Sequence, residues 1–273
     1  MTITAKTVVA AVVGSPIAHS LSPVIHNAWI EAAGLDAVYV ALEPSNLTEL
    51  VRALRGGVVR GLNVTAPFKT EALALADSAS ERARHAGSAN LLIFEADGTI
   101  RADNTDGEGL LAAFAEQASG FDPAAGPAVI VGAGGAARGA AAAFVEAGAP
   151  GVRLVNRSRE KALALAASFG GAVAVCDADD ALAGANAIIN ATPISPSVPL
   201  EVAPRSVVVM DMVYRPLETP LLAQARARGL RTVDGLAMLI SQARPSFESL
   251  FGVAPPESVD TRAIVIAFLA CAE

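Results

Sequence analysis

Ala128-Val129-Ile130-Val131-Gly132-Ala133-Gly134-Gly135-Ala136-Ala137-Arg138 decides the fold of this 273-residue chain. Four consecutive apolar residues read as a strand buried on both faces. The run feeds straight into Gly132-x-Gly134-x-x-Ala137, which opens an alanine-rich helix. In that context the first glycine permits a tight turn and the second lets backbone approach a pyrophosphate. A small third residue lets helix and strand pack closely. The helix N-terminus adds unpaired N–H donors and partial positive charge. Gly132, Ala133, Gly134, Gly135 and Ala136 are therefore candidate dinucleotide contacts.

Strand-like runs recur downstream at Val152–Val155, 172–175, Ala187–Asn190 and 207–210. Alanine-rich helices lie between them at 160–169 and 221–228. That alternation predicts a doubly wound parallel sheet. Upstream, 7–13 reads as a buried strand ended by Gly14, and Ser22 with Pro23 as the N-cap and first turn of a helix running to Gly34. Strands at Ala37–Leu42 and up to Thr65, with helices at Leu47–Leu54 and 71–76, predict a separate α/β lobe. Asp97-Gly98 marks a hairpin between 90–95 and 99–101. A helix at 107–118 and a linker with Gly120, Pro123, Gly126 and Pro127 lead into the glycine motif. From Gly235 onward the chain reads as mostly helical, with Pro245 expected to kink or restart a helix. The fold class is α/β in two lobes, each large enough for its own core.

The bulk numbers exclude other classes. A net charge of −7 and a pI near 5.1 argue against nucleic-acid binding, which needs clustered Lys and Arg. Mean hydropathy is +0.47, yet no run of ~18–20 apolar residues is present to span a membrane. The N-terminus, Met1-Thr2-Ile3-Thr4-Ala5-Lys6, leads into a strand rather than a signal-peptide core, so a soluble cytoplasmic protein is expected. Cys176 and Cys271 read as buried free thiols, and His19, His26 and His85 show no metal-ligand spacing.

The strand after the glycine motif ends in Asn156-Arg157-Ser158-Arg159-Glu160-Lys161, with no acid at its tip. An NAD enzyme usually places Asp or Glu there for the ribose 2′-hydroxyl. Asn156 and Ser158 suit hydrogen bonds to a 2′-phosphate, and Arg157 a charge-assisted pair, so the residues favour NADP.

Two polar motifs stand out in the first lobe. Ser20 and Ser22, flanking Leu21, would share one face of an extended segment and reach one small anion. Lys69 closes Asn63-Val64-Thr65-Ala66-Pro67-Phe68-Lys69, and Asp106 lies in Asp103-Asn104-Thr105-Asp106-Gly107. A partly buried lysine can exchange protons, and Asp106 would favour its charged form and orient a substrate hydroxyl. A structural Lys–Asp ion pair is the plainer alternative.

Over almost its full length the chain resembles the shikimate dehydrogenase family. The matching residues are Gly14 to Pro23, His26-Asn27, Asn63 to Lys69, Asn90, Asn104 to Gly107, the glycine motif, Asn156-Arg157-Ser158, and Asn190-Ala191-Thr192-Pro193. Asp211 to Tyr214, Pro216, Thr219 to Leu222, Asp234-Gly235, Met238-Leu239 and Gln242 complete them. The resemblance implies a substrate lobe, 1–106 plus about 238–273, interrupted by a Rossmann-like NADP lobe at about 107–237. It implies reversible NADP-dependent reduction of 3-dehydroshikimate to shikimate, in aromatic amino acid biosynthesis.

By similarity, Ser20, Ser22 and Tyr214 would bind the carboxylate. Thr65, Asn90 and Gln242 would line the ring hydroxyls with Lys69 and Asp106, which would be the catalytic pair. Thr192, Lys161, Met212 and Gly235 would join the cofactor contacts. The implied partners are a small-molecule substrate, no nucleic acid and no membrane, with a monomer or homodimer as the assembly. The chain departs from the family at Gly87-Ser88-Ala89-Asn90-Leu91 and Ile194-Ser195-Pro196, near the expected pocket. The alternatives are a quinate or related ring-acid dehydrogenase, with NAD as its possible cofactor, and a non-catalytic NADPH-binding regulator.

Overall fold

The computed structural model describes residues 3–271; Met1 and Thr2 of the expected strand-leading N-terminus, and Ala272 and Glu273, lie outside them. The chain divides into two compact units. One comprises the residues up to Thr105 together with those from Gln242 onward, and the other is Asp106–Ser241.

In the first unit β1 (Val8–Val13), α1 (Ser22–Ala32), β2 (Ala37–Leu42), α2 (Leu47–Leu54) and β3 (Val59–Val64) follow one another. Next come α3 (Lys69–Leu75), β4 (Ser78–Ala79), α4 (Glu81–Ala86), β5 (Leu91–Phe94) and β6 (Ile100–Asp103). The sheet order is β2-β1-β3-β5-β6-β4. β1 pairs in parallel with β2 and β3, whereas β5 runs antiparallel to both β3 and β6. The β5–β6 hairpin turns at Gly98, whose φ of +83° a side chain would oppose. Asp97 Oδ1 steadies the turn by accepting from the Thr99 N–H and hydroxyl at 2.8 and 2.7 Å.

Alternation places Ala11, Val13, Leu62 and Val64 in one core with Leu47, Val51, Leu92 and Ala102. Elsewhere in this unit an aromatic cluster forms. His26 stacks on Tyr39 at 4.1 Å, and Trp29 meets Phe247 edge-on at 5.5 Å.

The second unit begins with α5 (Asp106–Gln117), then β7 (Ala128–Val131), α6 (Gly135–Glu146), β8 (Val152–Val155), α7 (Arg159–Ala167) and β9 (Val173–Val175). It continues with α8 (Ala178–Ala181), β10 (Ala187–Asn190), β11 (Val208–Asp211), α9 (Pro220–Ala227) and β12 (Arg231–Asp234). The order β12-β11-β10-β7-β8-β9 with all pairs parallel is the expected doubly wound sheet. Its central strands are mainly apolar because both faces are covered: Ile130, Ile189 and Met210 enter one core, Val129, Ile188 and Val209 the other.

The division between units falls inside α10 (Gly235–Phe251), and α11 (Thr261–Cys271) packs on α1 in the first unit. Trp29 Nε1 donates to Thr261 Oγ1 at 2.8 Å.

Four local expectations are corrected. Ser22 is the first residue of α1, not its cap; Leu21 holds the cap position with no side-chain bond. Leu21 is helical (φ −89°, ψ −7°), so Ser20 and Ser22 are not on alternating strand positions. Pro245 lies inside α10, which runs through it without restarting. Cys176 is half-buried and Cys271 exposed, so neither is a buried core thiol. Among the described residues no helix is long and apolar enough to cross a membrane.

Candidate functional site

In the first unit the polar motifs gather where β1 and β3 end. Val13 and Val64 are register partners, and the chain leaving them stays in contact: Thr65 N–H donates to Val13 O, and Ser15 N–H to Ala66 O. A Cβ at Gly14 would strike Thr65 Cγ2, so glycine is what lets the two segments lie side by side. Ser20 and Ser22 follow on the first segment. Ser22 is buried, and its N–H donates to Ser20 Oγ at 3.3 Å, so the two hydroxyl-bearing residues meet through the helix entry. Ligands collect at such carboxyl ends of strands, where helix N-termini and loops converge.

Lys69 is the first residue of α3 and partly buried, where the helix dipole does not favour a cation. Its carbonyl accepts from Ala89 N–H at 2.8 Å, which sets Asn90 beside it.

Asn90 is 3% exposed and wholly determined. Its Oδ1 accepts from Thr105 N–H at 2.8 Å, and its Nδ2 donates to Thr105 Oγ1 at 2.8 Å and to Gln242 Oε1 at 3.3 Å. Ser20, Ser22, Thr65, Lys69, Asn90 and Gln242 all belong to this unit, and the structure brings Asn90 and Gln242 into direct contact. Ser88, a departure from the family pattern, has a physical account. It is buried, and Asn104 Nδ2 donates to its carbonyl and its hydroxyl at 2.9 and 3.1 Å.

Sequence reasoning quoted Asn63, Asn104 and Thr105 as motif members but gave them no role, and it missed Ser246 and Arg82. The available signal for Ser246 was its spacing, four residues after Gln242 on one helix face.

Asp106 and Tyr214 belong to the second unit. Asp106 opens α5, where a carboxylate complements the helix dipole. Tyr214 follows β11 and is partly buried; burial pushes its phenol up, and the charge of Arg215 offsets this in part.

The glycine motif forms the expected strand–turn–helix. Gly132 has φ +124°, and a Cβ there would press on Thr192 Cγ2 and Ala191 O at 3.1 and 3.2 Å. Gly134 is the N-cap of α6 and supplies no side chain to its free N–H groups. A Cβ at Gly134 or Gly135 would point into open space, while Ala137 is buried against the sheet.

Around this turn lies a recess of about 310 Å³ lined by Gly132, Ala133, Gly134, Asn156, Arg157, Ser158, Lys161, Ala191, Thr192 and Pro193. It sits over β7 and β10, the point at which the strand order reverses. Arg157 and Lys161 are exposed cations with no acidic residue among the lining groups, whereas Arg159 leans towards Asp177 at 3.6 Å. These features fit a dinucleotide carrying a 2′-phosphate: free helix N–H groups for the pyrophosphate and two cations at the strand tip.

Gly135, Ala136, Met212 and Gly235 do not line that recess. Met212 follows β11, with its N–H donating to Asn190 O. Gly235 sits so close to the Met212 carbonyl that a Cβ would overlap it. Beneath them Asn190 Nδ2 donates to Asp211 Oδ1 at 2.8 Å, and Asn190 Oδ1 accepts from the Thr192 N–H and hydroxyl. That pair shapes the turn bearing Thr192. The Ile194-Ser195-Pro196 loop is tied down too, with Asn190 Nδ2 donating to Ile194 O and Ser195 Oγ accepting from Leu221 N–H.

Known proteins match this arrangement. A family model described as shikimate dehydrogenase substrate binding domain covers residues 12–92, and one described as shikimate / quinate 5-dehydrogenase covers 115–202. The chain is 54% identical to shikimate dehydrogenase (NADP(+)) of Caulobacter vibrioides, over 98% of each chain. The solved shikimate 5-dehydrogenase of Thermus thermophilus, in complex with NADP(H) and shikimate, is 35% identical with a TM-score of 0.85, over 96% of this chain and 99% of that one. A quinate dehydrogenase from Corynebacterium glutamicum in complex with NAD is 30% identical with a TM-score of 0.86, over 97% and 99%. The strand-end polar cluster and the 2′-phosphate-compatible recess thus sit in a chain that belongs to the shikimate dehydrogenase family.

Proposed function

We propose that this protein is an NADP-dependent shikimate dehydrogenase, catalysing the reversible reduction of 3-dehydroshikimate to shikimate. The observation that carries the reading is the cluster of Lys69, Asn90 and Gln242 at the strand ends of the first unit, in a chain 54% identical to an NADP-named relative. Quinate with NAD is not favoured, because the quinate dehydrogenase is 30% identical and the strand tip here carries Asn156-Arg157-Ser158 instead of an acid. A non-catalytic regulator would not need Lys69 and Asp106 together.

In this reading the first unit binds substrate and the second binds NADP, whose nicotinamide supplies or accepts the hydride when bound. The Ser20 and Ser22 hydroxyls, with Tyr214, hold the ring carboxylate. Thr65, Asn90 and Gln242 orient the ring hydroxyls, each amide presenting a fixed donor or acceptor edge. Lys69 Nζ gives its proton to the carbonyl oxygen during reduction and takes it back during oxidation, with Asp106 orienting the same hydroxyl. Backbone N–H groups of Gly134 to Ala136 receive the pyrophosphate, Arg157, Lys161, Asn156 and Ser158 the 2′-phosphate. Thr192, Met212 and Gly235 contribute to the cofactor's remaining contacts. The assembly in this reading is a monomer or homodimer.

The experiment follows absorbance of the reduced cofactor at alkaline pH while crossing shikimate and quinate with NADP⁺ and NAD⁺. The expected result is a kcat/KM for shikimate with NADP⁺ far above the other three. Equal or higher values for quinate or NAD⁺ would overturn the specificity, and no turnover in any combination would overturn the activity.

A further inference from the structure

Ser246 lies one helical turn after Gln242 on α10, is fully buried, and has a hydroxyl in contact with three other residues. Asn63 Nδ2 donates to it at 3.0 Å, Thr105 Oγ1 lies 3.2 Å away, and Ser246 Oγ is 3.2 Å from the Gln242 carbonyl. A hydroxyl has one proton and two lone pairs. Because Asn63 fills one lone pair, the Ser246 proton goes to Gln242 O or Thr105 Oγ1. Either choice ties the hydroxyl to a residue that touches Asn90 or carries the Gln242 side chain.

The directions along this chain are determined from its far end. Tyr39 OH donates to Asn63 Oδ1 at 2.8 Å, which turns the Asn63 amide group so that both its protons face the other way. Asn63 uses them on Ser246 Oγ and, at 3.2 Å, on the Asn90 carbonyl. Tyr39 is itself enclosed, 1% exposed and stacked on His26, and burial keeps its phenol protonated well past the usual range. Thr105 then accepts from Asn90 Nδ2 and donates to Gln242 O at 3.0 Å. The run Tyr39, Asn63, Ser246, Thr105 ends on Asn90 and Gln242, and each of its members is buried.

We infer that Ser246, with Asn63 and Tyr39 behind it, is a positioning residue that holds Thr105, and through it Asn90 and Gln242, in the orientation that receives the ring hydroxyls. This rests on the reading of Asn90 and Gln242 as substrate ligands given above. Removing the hydroxyl leaves one Asn63 N–H unpaired where no water reaches. The amide then turns to find another partner, and its bond to the Asn90 carbonyl turns with it.

The test is steady-state kinetics of the full chain with Ser246→Ala and Tyr39→Phe. Shikimate is compared with a ring acid lacking one hydroxyl, at a temperature where circular dichroism shows each variant folded. Ser246→Ala is expected to raise KM for shikimate about 10-fold, to change kcat less, and to leave KM for NADP⁺ unaltered. Its preference for shikimate over the deoxy analogue should shrink, which general loosening of the fold would not produce. Tyr39→Phe should shift both quantities in the same direction by less. If the wild type oxidises shikimate with NADP⁺ and both variants keep its KM and preference, the positioning role is overturned while the activity stands. If the wild type does not oxidise shikimate, the functional reading fails first. Should Ser246→Ala not fold, Tyr39→Phe decides alone.

Discussion

Arg82 grips Asp103 at two points, Nε on Oδ1 and Nη2 on Oδ2, both at 2.7 Å. Ser80 Oγ and Asn104 N–H also donate to Oδ1, at 2.5 and 2.7 Å. The Asp103 side chain is 8% exposed and that of Arg82 37%. Burial alone would push the Asp103 carboxyl up; the Arg82 and Ser80 hydrogen bonds, the Arg82 charge and the Asn104 N–H together hold it below the usual range. The pair therefore anchors the segment that runs into Asn104 and Thr105. Arg82→Ala leaves a buried carboxylate without its cation and should cost about 2 kcal/mol, the usual penalty discounted for the exposed arginine. Calorimetry should show a fall of several degrees in Tm, and an unchanged Tm would mean the pair contributes nothing.

His26 gives stability a pH dependence of definite sign. Burial lowers its pKa from 6.5 to about 3, so the folded protein keeps it neutral while the unfolded chain takes up a proton. Stability from this group is complete above 6.5 and declines as pH falls towards 3. Between pH 7 and pH 5 the loss is about 2 kcal/mol. Urea denaturation at those two values should reveal it, and His26→Phe, which keeps a ring against Tyr39, should lose less over the same interval. Asp103 acts in a lower window: its depressed carboxyl contributes above ~4 and is lost as pH falls through its folded value.

Two glycines of the second unit should separate stability from binding. Gly235→Ala drives a Cβ into the Met212 carbonyl, with Val213 O also at 2.8 Å, and backbone cannot swing aside as a side chain does. A loss of about 2 kcal/mol or more is expected in the denaturation midpoint. Gly134 has φ −94° and open space where a Cβ would point, so Gly134→Ala should leave that midpoint alone. NADP⁺ titration of Gly134→Ala should instead show weakened affinity; binding at wild-type strength would mean the pyrophosphate lies elsewhere.

Arg157 and Lys161 supply the cations of the recess. Arg157→Ala should raise KM for NADP⁺ by roughly 10- to 100-fold, the value of a charge-assisted hydrogen bond. KM for NAD⁺ should not change, and added salt should weaken NADP⁺ binding less in the variant than in the wild type. Parallel losses with both cofactors would point to a structural arginine.

Lys69→Ala removes the proposed proton donor at the start of α3. A fall in kcat of about 10²- to 10⁴-fold is expected, with shikimate binding changed far less. Single-turnover measurements with equilibrium binding would check it; equal losses in both would make Lys69 a binding residue only.

Most of the second sheet was legible because its strands are short, mainly apolar runs, as in Ala187–Asn190 and Val208–Asp211, whereas β12 (Arg231-Thr232-Val233-Asp234) was not, having one apolar residue in four. What escaped reading was short. β4 is two residues long and exists only because Ser78 and Ala79 pair with Arg101 and Ala102. α4 is six residues with no apolar stripe, although its ends are marked: Ser80 Oγ accepts from Ala83 N–H, and Gly87 closes it at φ +59°. Ser22 resembles a cap because the Ser-Pro pattern fits N-cap and N1 equally well, and the helix begins one residue earlier than that pattern suggests. At the candidate site the motifs named residues, but their spacing could not say that Asn90 and Gln242 touch.

Local pattern determined most elements of this protein, since strand alternation, turn glycines and helix caps act over a few residues and are written in consecutive positions. It determined the glycine turn after β7 and the absence of an acid at the tip of β8. Tertiary structure alone decided that Asn63 meets Ser246 across 183 positions, and that Arg82 meets Asp103. Those partners are set by the register of β3 against β5 and of β5 against β6, and by the packing of α10, and each buried polar atom then takes whichever donor or acceptor the assembled core offers it.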